Sequence, residues 1–306
     1  EKDGRELFKL DRLGNPRVVE KIYSNYKSSN PANLKIFNDS LYFTLTDEDG
    51  KTELWKETNT GETEEVRGIT SSYSYNFSNL TIFNNSLYFS TTDDDNRTYL
   101  WKTNDLGDVE KVNGTSSSDF YNPSNFTIVN DKLYFTTTDK YDNRIYLWKT
   151  NSADATRDVE RVDGINRNSY NTSNFTIVND ILYFTTTDFN GAQLWRVNDN
   201  GQGEQVRIIQ SNSSELSNFT VFNNTLSVII DSLYFTASDK NYGNELWKVR
   251  DDNRAVRLNP INKETREAPS DFINVNGTLY FTAEDKNSGI KLWRIDSNGN
   301  PQGIAS

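Results

Sequence analysis

The chain has 306 residues with 44 acidic against 33 basic side chains, a net charge of −11, and so would repel a phosphate backbone; nucleic acid is excluded as a partner. Cys, His and Met are all absent, which removes thiolate chemistry, the commonest general base and the commonest transition-metal ligand. No run is long and apolar enough for a membrane span, so no membrane insertion is expected, and a core must be carried by the 13% of aromatic residues.

Along the chain one unit recurs. Residues 4–22 hold its second half only, with Phe8 where later copies carry Trp. Full copies follow at about 33–68, 79–113, 125–164, 174–209, 218–258 and 271–306. Each contains Leu-Tyr-Phe, with tyrosines at Tyr42, Tyr88, Tyr134, Tyr183, Tyr234 and Tyr280, followed by Leu-Trp at Trp55, Trp101, Trp148, Trp195, Trp247 and Trp293. Those are all six tryptophans of the chain.

Within a unit, as in NFTIVNDKLYFTTTD, the first two runs are β-branched or aromatic and are joined by two residues. The joints are Asn38-Asp39, Asn84-Asn85, Asn130-Asp131, Asn179-Asp180 and Asn276-Gly277. Asn, Asp and Gly accept the positive φ that a tight hairpin turn demands, so strands a and b form a hairpin. Leu-Trp then lies on strand c and the Val-rich run after it on strand d. Strand b carries three large apolar residues in succession, so both faces of the sheet must be covered. Four antiparallel strands in about 46 residues predict an all-β fold, a β-propeller of six full units and an N-terminal c–d half-blade, forming one domain over 1–306. In the fifth unit NFTVFNNTLSVIIDSLYF holds about five extra residues, expected as a bulge or extended hairpin.

The run LYFTLTDEDGKTELWK at 41–56, and LYFTASDKNYGNELWK at 233–248, resembles the ELW-type propeller repeats of secreted bacterial, especially cyanobacterial, proteins. The resemblance covers almost the whole chain and implies a propeller and export. It brings no catalytic residues with it. The Asn-Thr or Asn-Asp after the ELWK segment departs from the family's Asp-Gly-Thr at the c–d turn. Glu1 in place of Met fits a chain whose export leader has been removed.

Three sets of residues could carry chemistry. An Asp closes every strand b, and Asp47 with Asp49 or Asp93 with Asp95 could offer carboxylates to calcium; no other cofactor is expected. The structural alternative is that each carboxylate caps backbone N–H groups in its own turn. Sequons recur in the repeat at Asn79, Asn125, Asn174 and Asn218, where glycosylation is an expectation if the host has the machinery. The tryptophans could be sugar-stacking platforms, but one interior strand position in every unit points to core. The basic residue after each is expected to make a weak surface pair.

The d–a connections are long and rich in Ser, Asn and Tyr. Their aromatics Tyr73, Tyr75, Phe120, Tyr121 and Tyr170 either form a binding rim or tuck back over the core. Without His a nucleophilic triad has no base, so an enzyme is not expected; a pair of carboxylates acting on a glycan is the remaining catalytic option. The sequence therefore predicts an extracellular or cell-surface adhesion, matrix or ligand-binding module whose partner is a protein or a glycan. The alternative is self-association as a surface-layer or filament subunit with the half-blade at the contact.

Overall fold

The computed structural model describes residues 5–19, 30–47, 50–69, 76–93, 97–103, 108–112, 121–139, 144–150, 158–166, 170–188, 191–208, 216–222, 232–239, 243–258, 261, 267–285, 289–296 and 299–304. Every regular element among them is a β-strand. The chain divides into two compact units, residues 1–142 with 146–161, and 143–145 with 162–306. That division is invisible in the repeat, which runs through both.

The first unit opens with an antiparallel pair, β1 (Phe8–Leu10) and β2 (Pro16–Val18), the half-blade. Blade 1 follows as β3 (Ala32–Phe37), β4 (Ser40–Thr46), β5 (Thr52–Glu57) and β6 (Thr63–Glu65). Blade 2 is β7 (Asn76–Phe83), β8 (Ser86–Thr92), β9 (Thr98–Thr103) and β10 (Val109–Lys111). Blade 3 is β11 (Tyr121–Val129), β12 (Lys132–Thr138), β13 (Ile145–Thr150) and β14 (Val159–Arg161). In each the strands lie side by side in chain order, a to d.

The second unit repeats the plan. Blade 4 is β15 (Tyr170–Val178), β16 (Ile181–Asp188), β17 (Gly191–Val197) and β18 (Gly203–Gln205). A short β19 (Arg207–Ile208) then pairs in parallel with strand d of blade 5. Blade 5 is β20 (Leu216–Phe222), β21 (Ser232–Asp239), β22 (Gly243–Val249) and β23 (Arg254–Arg257). Blade 6 is β24 (Ser270–Val275), β25 (Thr278–Asp285), β26 (Gly289–Ile295) and β27 (Pro301–Gly303). Six consecutive four-stranded meanders and a two-stranded one make this a β-propeller fold.

The a–b turns are as the sequence requires: both central residues have positive φ, 47° and 55° at Asn38-Asp39 and 48° and 73° at Asn276-Gly277. In blade 5 the ladder ends at Phe222 opposite Ser232. The extra residues of that unit therefore fall in the hairpin connection, residues 223–231, which lie outside the described set.

The core is built between consecutive blades, and it explains the apolar triplet. Leu87 and Phe89 of blade 2 pack with Phe37, Tyr42 and Leu54 of blade 1, whereas Tyr88 joins Leu133, Phe135 and Trp148 of blade 3. Leu and Phe of the triplet thus face the preceding blade and Tyr the following one. In the Leu-Trp pair the order reverses, with Leu100 facing forward and Trp101 back. The second unit repeats this with Leu246 against Leu279 and Phe281. Burying each such ring or Leu side chain contributes roughly 1.5–3 kcal/mol before entropy is counted.

A second inter-blade tie was not legible in the repeat. The segment leaving strand d runs against strand d of the next blade, as β19 does. At Gly68, where φ is +109°, a Cβ would stand 2.6 Å from the carbonyl oxygen of Val109, so only glycine fits. The basic position after Trp makes some of these ties as well: Lys9 pairs with Glu57, and Lys102 reaches Asp158 at 2.5 Å.

Candidate functional site

The tryptophans belong to the framework. Trp101, Trp148 and Trp195 are buried, and each Nε1 donates to the hydroxyl of a strand-b threonine, Thr91, Thr137 and Thr186, at 2.8–2.9 Å. In blade 1, Leu45 occupies the threonine position, and Trp55 Nε1 turns to Glu53 Oε2 at 3.2 Å. In blade 5 the position is Ala237, and Trp247 Nε1 is buried with no hydrogen-bond partner among the described residues. The phenylalanine opposite Trp in the b–c ladder stacks between rings: Phe135 stands 5.5 Å from Phe126 and 6.5 Å from Trp148.

The strand-b aspartates cap turns. Asp47 Oδ1 accepts the Lys51 N–H at 2.8 Å, and Asp93 Oδ1 accepts that of Arg97 at 2.8 Å. The same device closes c–d turns, where Asn198 Oδ1 accepts from Asn200 and Gln202. Asp93 Oδ2 also accepts from the Tyr99 hydroxyl at 3.2 Å, and the calcium partners expected beside these carboxylates, Asp49 and Asp95, lie outside the described residues. Among the described residues no three acidic side chains converge as a metal would require.

The sequon asparagines are bulge residues. Asn79, Asn125, Asn174 and Asn218 have φ between 52° and 60° and stand where the a–b register shifts. Their Nδ2 groups donate to the strand-b hydroxyls of Ser90, Thr136, Thr185 and Thr236. The Thr of the first three sequons bonds back to the asparagine carbonyl at 3.1 Å. The N-x-T pattern is thus the chemistry of a left-handed bulge, in which Asn tolerates positive φ and supplies the lost ladder bonds. Asp271 fills the same role in blade 6, accepting from Thr282 at 2.7 Å, and that bond holds its carboxyl below the usual range.

The basic residue after Trp pairs across strands c and d, Lys56 with Glu64, Lys149 with Glu160 and Arg196 with Glu204. The Arg196 bond also lowers the Glu204 carboxyl. The triplet tyrosines of blades 1 to 5 are buried, and burial raises Tyr42, Tyr88, Tyr134 and Tyr183, with Tyr234 pushed up to about 12.

Of the rim aromatics, Tyr73, Tyr75 and Phe120 fall outside the described residues. The backbone positions of Tyr121 and Tyr170 are fixed: each opens strand a of its blade, opposite Thr138 and Thr187 at the end of strand b. Both therefore stand at the end of their sheet where the d–a and b–c connections emerge. At that end Asn166 Nδ2 bonds Asp188 Oδ2 at 3.3 Å, joining a d–a connection to a b–c turn.

No family model and no curated protein matches this chain. Solved structures do. Oligopeptidase B from Leishmania major aligns with a TM-score of 0.50 at 10% identity, over 92% of this chain and 42% of that one. Virginiamycin B lyase from Staphylococcus aureus aligns at 0.41 and 15% identity, over 91% and 85%. The β-propeller domain of the Trilobed protease from Pyrococcus furiosus gives 0.41 and 13%, over 90% and 84%. At these identities the likeness is one of fold, and it stops at the β-propeller.

Proposed function

We propose that this chain is an exported propeller of the ELW-repeat type, acting at the cell surface as a non-catalytic binding module for a protein or glycan. The observation that carries this reading is the position of Tyr121 and Tyr170, which begin strand a opposite the last strand-b threonine. Each of the two positions lies where a long connection, different in every repeat, enters strand a of its own blade. Tyr in a polar loop gives contact area at low entropic cost. The residues that repeat serve the framework instead: tryptophans bond strand b, aspartates cap turns, and sequon asparagines hold bulges.

The test is binding of the whole chain to arrays of glycans and of extracellular matrix proteins. It compares wild type with a variant carrying Ser at Tyr73, Tyr75, Phe120, Tyr121 and Tyr170. Saturable binding lost in the variant at unchanged melting temperature is expected. Equal binding by both proteins contradicts the rim, and turnover of an arrayed glycan would favour a carboxylate-based enzyme.

A second reading, a self-associating structural subunit, is favoured by the half-blade, a sheet of two strands where each later blade has at least four. Light scattering after size exclusion at several concentrations tests this, and a monomer at all of them contradicts it.

A further inference from the structure

Blades 1, 2 and 5 end strand a on a phenylalanine whose ring rests against the triplet tyrosine. Phe37 lies 5.8 Å from Tyr42, Phe83 6.2 Å from Tyr88, and Phe222 5.8 Å from Tyr234. Blades 3, 4 and 6 end strand a on a valine, Val129, Val178 and Val275. Beside Val178, where no ring covers Tyr183, a cavity of about 170 Å³ lies between blades 4 and 5, within the second unit. Its apolar floor is Val178, Leu233 and Val249, and Tyr183 forms a wall. A void of ~150 Å³ takes a benzene-sized ring, so this one holds one six-membered ring.

The mouth is polar and balanced in charge. Arg196 lines it, with its charge matched by Glu204 through bonds of 3.1 and 2.9 Å from Nε and Nη2. Arg250 and Asp251 of the c–d turn bring one charge of each sign. A charged ligand would meet an opposing partner already in place. A neutral ring with one C–H face and several hydroxyls meets the tyrosine wall, two donors and an acceptor.

The geometry points to this cavity as a binding site for a single neutral monosaccharide unit. It lies at the a–b and c–d turn end of blades 4 and 5, opposite the rim of the proposed function, and does not depend on it.

Saturation-transfer NMR on the full chain tests it with the methyl glycosides of glucose, galactose, mannose, fucose and N-acetylglucosamine, and with phenol as a planar apolar control. At least one glycoside is expected to bind in the millimolar range or tighter, the affinity scale of a few polar contacts. Val178→Phe restores the ring that blades 1, 2 and 5 carry, and should keep the fold while weakening binding by about tenfold or more. Arg250→Ala with Asp251→Ala changes only exposed turn residues and should weaken it about fivefold. The rim variant should bind as wild type. The proposal is overturned if no glycoside gives a saturable signal, if phenol alone binds, or if the signal survives either the Val178 or the turn substitution.

Discussion

Asn79 Nδ2 donates to the carbonyl oxygen of Pro123 at 2.8 Å, and so ties strand a of blade 2 to strand a of blade 3. Asn218 makes the same bond to Pro269 at 2.9 Å in the second unit. Asn79→Ala removes this tie and the bond to Ser90, and forces a Cβ-branched-free but still L-configured residue to keep φ near 60°. The expected loss is about 1–2 kcal/mol, chiefly for the two bonds, with a smaller part for Ala in place of Asn at a left-handed position. Urea unfolding measures it, and an unchanged midpoint contradicts the structural role of the sequon.

Blade 5 offers a gain. Ala237→Thr places a hydroxyl where Thr91, Thr137 and Thr186 accept from their tryptophans, and supplies the buried Trp247 Nε1 with an acceptor. Stability should rise by about 0.5–1.5 kcal/mol, the net value of one hydrogen bond. The reverse change, Thr91→Val, should cost about 1–3 kcal/mol by orphaning Trp101 Nε1. Thermal melts of both variants check the pair, and a fall for Ala237→Thr would show that the site cannot take the added volume.

The turn aspartates separate capping from calcium binding. Asn198 already caps a c–d turn through its side-chain oxygen, so Asp47→Asn should keep the melting temperature within error. Asp47→Ala should cost about 0.5–2 kcal/mol. If millimolar calcium raises the wild-type melting temperature and leaves Asp47→Asn unmoved, the carboxylate is a ligand and not only a cap.

Alkali should unfold the protein before acid does so through these groups. Burial raises Tyr42, Tyr88, Tyr134, Tyr183 and Tyr234, and for Tyr234 the shift is from 10 to about 12. The unfolded chain then releases its tyrosine protons first, so this stability is whole below pH 10 and falls between pH 10 and about 12. Glu204 is shifted the other way, lowered by Arg196, so its contribution is present above the ordinary carboxylate range and is lost in acid. It is small, because the side chain is 42% exposed. Urea midpoints from pH 7 to 12 should decline above pH 10, and Tyr234→Phe should flatten the decline.

The framework was legible because its signals are local and repeated. Turn pairs such as Asn130-Asp131 have one reading, and the Leu-Tyr-Phe triplet demands cover on both faces. The bulge at Asn125 was half visible: the repeat flagged the residue, but its positive φ and its bond to Thr136 needed coordinates. The β19 pairing and the Gly68 approach to Val109 join residues about 40 or more positions apart with no side-chain pattern to announce them. The Val178 cavity was missed for another reason. The position alternates between Phe and Val along the repeat, as at Phe222 and Val178, and both look like ordinary core.

The account assigns repeating residues to structure and variable connections to recognition, and one paired comparison tests that division. Glycan and matrix arrays would be probed with wild type, the five-residue rim variant and Thr91→Val. The rim variant should lose binding at an unchanged melting temperature, while Thr91→Val melts lower and binds as wild type in the cold. Binding that follows Thr91→Val and ignores Tyr121 and Tyr170 would contradict the account.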